Sequence, residues 1–264
     1  MKVGLIGRGA IAQYVLQQLK AKGHRVGAFL VRPERLADTG ATDAEGRVLV
    51  SSVEDLPSDL DQIVDCAGHE ALHAYGADIL RAGFGLTTVS LGALADPGLE
   101  QALMQAGKDG GARLSLASGA IGALDALRSA RIGQLKHVRY VGRKPPMGWQ
   151  GSPAEDTLDL ATMKDAPEAH FRGTAREAAL NYPKNANVAA AVALAGIGFD
   201  KTEAHLIADP TIAENIHEIV AEGEFGRFEF RISGNPLPGN PKSSALAAMS
   251  VVASLIENTR TIHF

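Results

Sequence analysis

The sequence predicts an α/β protein in two parts, a doubly wound parallel sheet over residues 1–118 and then an α+β domain containing a mainly antiparallel sheet. Three observations carry that expectation. The chain opens on an apolar run, a glycine turn and a helical repeat; strands then alternate with helices up to about residue 118; beyond Asp125 the alternation gives way to strands at hairpin spacing.

In residues 2–23, Val3, Leu5 and Ile6 form a short strand, Gly7-Arg8-Gly9-Ala10-Ile11-Ala12 follows at once, and Ile11, Val15, Leu16 and Leu19 recur at helical spacing up to Gly23. Gly7 permits a tight turn, Gly9 lets a pyrophosphate approach the backbone, and Ala12 is small where helix packs on strand. Ala10 and Ile11 open the helix, whose free N–H groups and positive dipole end suit phosphates. This is the dinucleotide-binding arrangement, so the parallel sheet is expected to be of Rossmann type. Residues 25–31 read as the second strand. Where an NAD-binding fold usually carries an acid for the ribose 2′-hydroxyl, Val31 and Arg32 stand here, with Glu34 the nearest acid. An arginine there accommodates a 2′-phosphate, so the expected cofactor is NAD or NADP; Arg32 as a solvated charge, or stacked on adenine, is the competing reading.

Residues 39–57 are polar and broken. Residues 62–67 form a strand, 69–82 a helix stopped by Gly83, 86–91 a strand, 97–106 a helix and 113–117 a strand before Ser118-Gly119-Ala120. Ligands of such sheets lie beyond the carboxyl ends of the strands, so segments 7–12, 66–69, 90–94 and 118–120 are expected round one crevice. Cys66 and Ala67 thereby become candidate cofactor contacts, although a small buried role suits Cys66 better. In the second domain, 119–240, strands are expected at 138–143, 169–172, 204–208, 214–222 and 225–233, the last two joined through Gly223-Glu224-Phe225-Gly226, with helices at 174–181 and 187–196 on one face. Residues 235–241 read as a linker, and 243–256 as a helix apolar enough to be buried. The segment 241–264 is expected to complete the first domain.

Length and composition fit this plan. The 264 residues are 45% hydrophobic and 21% charged, ordinary for a globular protein. A net charge of -4 and a pI near 6.1 give no reason to expect nucleic acid or an anionic membrane as partner. No apolar run reaches membrane-spanning length. The single cysteine, Cys66, excludes an internal disulfide, and a core strand starts directly after Met1, so a cytoplasmic protein is expected.

Alternation in residues 214–220 puts Asn215 and His217 on one face and Ile216, Glu218 and Val220 on the other. Two hydrogen-bonding side chains opposite a partly apolar face suggest a face turned to a cleft, where a histidine could pass a proton near neutral pH. Taken by itself, a strand histidine is more often structural. His170 and His205 read as structural, His69 and His73 as solvated or capping, and no cluster has metal-ligand spacing. A second polar cluster, Tyr182-Pro183-Lys184-Asn185-Ala186-Asn187, falls between two helices. Lys184 is placed to hold a substrate carboxylate; Asn185 or Asn187 either caps the next helix or touches the cofactor amide.

Together these segments resemble the L-aspartate dehydrogenases: G-L-I-G-R-G-A-I-A at 4–12, D-C-A-G-H at 65–69, S-L-G-A-L-A-D at 90–96, A-S-G-A-I-G-A-L-D at 117–125, Y-P-K-N-A-N-V-A-A-A at 182–191 and A-D-P-T-I-A-E-N-I-H at 208–217. The glycine loop is common to many dehydrogenases, and the last three segments are far more specific. The resemblance implies that His217 is catalytic and that Ala120 and Asn187 contact the nicotinamide cofactor. It also implies a homodimer, a substrate site between the two domains, and oxidation of L-aspartate to iminoaspartate, then oxaloacetate and ammonia. His217 becomes the expected general acid/base. Lys184, Asn185 and Asn215 become expected substrate contacts, with Arg143 and Lys144 as weaker candidates. A reductase of another imine or keto acid, and a cofactor-binding sensor without turnover, are the rival readings.

Overall fold

The computed structural model describes residues 1–39, 41–257 and 259–262. Gly40, Asn258, His263 and Phe264, the last three in the segment expected to complete the first domain, lie outside the described residues. The chain divides into two compact units, residues 1–117 with 247–264, and residues 118–246.

The first unit is built on β1 (Lys2–Ile6), α1 (Ala10–Ala21), β2 (Arg25–Leu30), α2 (Pro33–Thr39), β3 (Val48–Val50), β4 (Gln62–Asp65), α3 (His69–Arg81), β5 (Leu86–Thr88), α4 (Pro97–Gly110) and β6 (Leu114–Leu116). All six strands are parallel, in the order β3-β2-β1-β4-β5-β6. That is the order of the doubly wound dinucleotide folds, with its reversal between β1 and β4. The central strands are apolar runs because helices cover both faces of such a sheet. Val3, Leu5, Phe29 and Val64 pack with Val15 and Leu19 of α1 in one buried cluster, which Val251, Val252 and Leu255 complete. Those last three belong to α8 (Ala245–Glu257), the apolar C-terminal helix.

Two sequence expectations change here. The stretch read as broken contains β3, a three-residue edge strand on β2. The strand expected to reach residue 91 stops at Thr88, and Leu91–Ala95 is a buried 3-10 turn that leads to the Asp96 cap of α4. Ser90 supplies the reason, since its Oγ donates to the buried Asp65 carboxylate at 2.6 Å and turns the chain out of the sheet.

The second unit holds α5 (Leu124–Ala130), β7 (Leu135–Lys144), β8 (Glu168–Thr174), α6 (Ala175–Asn181), α7 (Asn187–Ala195), β9 (Glu203–Ala208), β10 (Asn215–Gly223), β11 (Gly226–Gly234), β12 (Pro236–Leu237) and β13 (Asn240–Ser244). Five strands form a sheet in the order β11-β10-β7-β9-β8; β7 and β9 run parallel and the other pairs antiparallel. The β10–β11 hairpin closes at Gly223 and Gly226, as the glycines at both ends of the turn predict. Residues read as a linker instead form the β12–β13 ribbon.

Candidate active site

Beyond the carboxyl ends of β1, β2 and β4 lies a cavity of about 900 Å³. Gly7, Gly9, Arg32, Cys66 and Ala67 line it; Ala10 and Ile11, the first two residues of α1, do not. Gly7 has φ +82°, and a Cβ there would meet the Ala67 Cβ at 2.9 Å, so the turn requires glycine twice over. At Gly9 a Cβ would meet no atom within 4 Å, so backbone is laid open beside the α1 N-terminus, whose side-chain cap is missing. This open backbone and helix end fit a dinucleotide's pyrophosphate. Burial, and then the neighbouring Asp65 charge, push the Cys66 thiol well above its usual pKa, so it packs as a small apolar group. Asp65 enters the sequence reading only as the first residue of the D-C-A-G-H segment, with no role of its own. Its carboxylate accepts from the Ala67 and Gly68 amides and from the Thr88 and Ser90 hydroxyls, tying together the loops after β4 and β5. Val31 is buried at the expected acid position, and Arg32 instead pairs with Glu70 at 2.9 Å, both exposed.

In the second unit, cross-strand register decides which side chains meet. His217 stands opposite Gly142, and Ile219 opposite Tyr140. Alternation along β7 therefore puts Tyr140, Gly142 and Lys144 on the face of His217, and Arg143 on the other face with Ile216 and Glu218. Arg143 is engaged there, 3.6 Å from Asp209 and 3.7 Å from Glu218. The His217 face is the better buried one, continuing through Ile219 and Ala221. His217 is 5% exposed, and its Nδ1 lies 2.8 Å from the Tyr140 hydroxyl. Burial, and next the charge of Lys144, hold its pKa down to about 4, so it is neutral at physiological pH instead of titrating there.

Lys144 donates to Asn185 Oδ1 at 2.6 Å and sits 4.9 Å from the Trp149 ring centre. It has no carboxylate partner among the described residues, and burial lowers its pKa to about 8. His170 completes the group. The β8–β9 register shifts between Ala169 and Phe171, a bulge that re-aims His170 onto Trp149, with ring centres 4.4 Å apart, and onto the Tyr182 hydroxyl, 3.2 Å away. Burial, and then Lys144, hold its pKa to about 4, and its Nε2 is buried without a partner among the described residues. His170 thus packs into this cluster; Tyr140 and Trp149 carried no recognisable signal in the sequence, whereas Tyr182 opened the polar cluster at 182–187.

The remaining candidates fall as follows. Asn185 holds Lys144 and caps no helix; α7 begins at Asn187 after Ala186, without a side-chain cap. Lys184 is exposed and forms no ion pair or hydrogen bond with this cluster. Asn215 begins β10 half-buried, on the His217 side by alternation. Ala120 is buried in the loop before α5. No group of three or more metal-ligating side chains occurs among the described residues, and no described helix is long and apolar enough to cross a membrane.

The family model described as aspartate dehydrogenase, C-terminal, matches residues 125–258, and that described as homoserine dehydrogenase, NAD binding domain, matches residues 7–117. An L-aspartate dehydrogenase of Ruegeria pomeroyi is 55% identical over 97% of this chain and 91% of its own length. The chain belongs to the L-aspartate dehydrogenase family. Another member, from Cupriavidus necator, is 45% identical over 97% of this chain and 96% of its own. The crystal structure of the Thermotoga maritima aspartate dehydrogenase superposes with a TM-score of 0.77 at 28% identity, covering 100% of this chain and 99% of that one. In this dehydrogenase chain both halves are accounted for, the NAD-binding half by the glycine cavity and the C-terminal half by the sheet that carries His217 and Lys144.

Proposed function

We propose that this chain oxidises L-aspartate to iminoaspartate with NAD or NADP, the imine then giving oxaloacetate and ammonia in water. The observation that carries the reading is the meeting of two family-specific segments on one buried cation: Asn185 of the 182–191 segment binds Lys144, whose charge acts on His217 of the 208–217 segment. Bound at the glycine cavity, the nicotinamide cofactor supplies the acceptor for the hydride of the substrate α-carbon. Gly7 and Gly9, with the uncapped start of α1 behind them, hold its phosphates; Ala120 and Asn187 contact its nicotinamide end. Arg32 is the group that decides whether a 2′-phosphate is accepted.

The protein's own task is to bind and orient a dicarboxylate. A desolvated ammonium without a carboxylate partner favours an incoming anion, so Lys144 takes one substrate carboxylate, with Asn185 steering it. Lys144 is the better-placed cation, since Lys184 is exposed and Arg143 is paired on the opposite face. His217 supplies the imidazole at the reacting centre, and Asn215 a further amide on the same face. A cytoplasmic homodimer serving pyridine nucleotide biosynthesis is the finer reading. The edge strand β11, laddered on its β10 side alone among the described residues, offers an edge that a second copy would cover.

Absorbance of the reduced nicotinamide tests the function directly. Signal should grow with L-aspartate and not with L-glutamate, L-alanine or D-aspartate. Silence with L-aspartate under both NAD and NADP would overturn the assignment.

A further inference from the structure

Tyr140 is 1% exposed, and its hydroxyl has one partner among the described residues, the Nδ1 of His217 at 2.8 Å. Gly142 keeps the way open. It stands directly opposite His217 in the ladder, and a Cβ on it would lie 2.5 Å from the Tyr140 hydroxyl oxygen. A hydroxyl both donates and accepts, so the pair has two possible arrangements. With the ring proton on Nδ1, the phenol would accept it, and its own O–H would be left in the core without an acceptor. With the phenol donating, Nδ1 accepts, both groups are satisfied, and the ring proton sits on Nε2. A buried donor without a partner is penalised by roughly tenfold or more in the ratio of the two forms. Burial also raises the phenol's pKa, so ionisation offers no escape from that penalty.

We propose that Tyr140 is a positioning residue that fixes His217 in its Nε2–H tautomer, so that His217 meets the substrate as a hydrogen-bond donor and not as a proton acceptor. This deepens the reading of His217 as the imidazole at the reacting centre and rests on it. Nε2 makes no hydrogen bond among the described residues, so its proton is available to a ligand. Together with the Lys144 ammonium on the same sheet face it forms a pair of donors, the complement of a carboxylate.

The test begins with 15N NMR of the full chain labelled at histidine, near pH 7 and without substrate. His217 should show a protonated Nε2 and a bare Nδ1, and Tyr140→Phe should shift it towards a mixture of tautomers. A protonated Nδ1 in the unsubstituted enzyme would overturn the proposal. Kinetics give an independent reading. His217→Gln keeps an N–H donor near the Nε2 position and should retain kcat/KM within about tenfold, whereas His217→Ala should lose on the order of a hundredfold. Equal losses in the two variants would overturn the donor role. Gly142→Ala, which displaces the phenol, should reproduce the tautomer mixture of Tyr140→Phe. The NMR result does not depend on turnover, so a failure with L-aspartate would remove the proposed function while leaving the tautomer decided.

Discussion

Lys144 is the residue on which most can be staked. Its pKa is lowered to about 8 by burial. The free enzyme therefore loses this charge as pH rises through about 8, while a bound carboxylate favours the charged form and pulls a proton back on. KM for L-aspartate should accordingly rise above about pH 8, approaching tenfold per pH unit at the limit. Lys144→Arg, whose charge persists, should flatten that rise in a KM-against-pH profile, and Lys144→Met should raise KM roughly 10- to 100-fold at pH 7. A second residue-scale prediction concerns the cofactor. Glu70 faces the cavity and holds Arg32, so a 2′-phosphate must compete with a carboxylate for the same guanidinium. Glu70→Gln should shift the NADP-to-NAD ratio of kcat/KM towards NADP by about three- to tenfold, as befits an exposed pair. An unchanged ratio would show that Arg32 does not meet the 2′ position.

Among the elements, α6 shows how local sequence secures the site. Thr174 and Glu177 form a reciprocal capping box at its start, and its far end leads into the turn that carries Asn185. Thr174→Ala should cost about 1 kcal/mol, read as a lowered midpoint in urea or heat denaturation. Elements of this kind are legible because each signal lies within a few neighbouring residues: the glycine turn into α1, the Gly223–Gly226 closure, and the alternation that puts Asn215 beside His217. What escaped depends on partners far along the chain. Lys144 and Arg143 look interchangeable in sequence, and the register against β10 separates them, one onto the His217 face and one into ion pairs with Asp209 and Glu218. His170 is hidden more deeply, since a bulge breaks the two-residue period that would have revealed its direction. The three residues of β3 carry too short an alternation to stand out from the polar stretch around them.

For the molecule as a whole, two histidines held neutral, His217 buried and His170 half-buried, make stability fall on the acid side. His217 and His170 both titrate near pH 4 in the folded chain, against 6.5 for the ordinary side chain. Between those values the unfolded chain binds protons that the folded one refuses, so their contribution is complete above about pH 6.5 and is lost as pH falls towards 4. The thermal midpoint should fall across that window, and His170→Gln should make the fall shallower; an unchanged slope would mean that His170 charges freely in the folded chain. The placement of α8 has a consequence of another kind. The helix follows the entire second unit in the chain, yet Val251, Val252 and Leu255 share a core with Val3, Leu5 and Val15. On a ribosome adding about 5–20 residues per second, the opening strand emerges on the order of ten seconds or more before its last neighbours are made. Until then the growing polypeptide displays a bare apolar stripe, so the nucleotide-binding half has to be sheltered, or to wait unfinished, while the other half is translated.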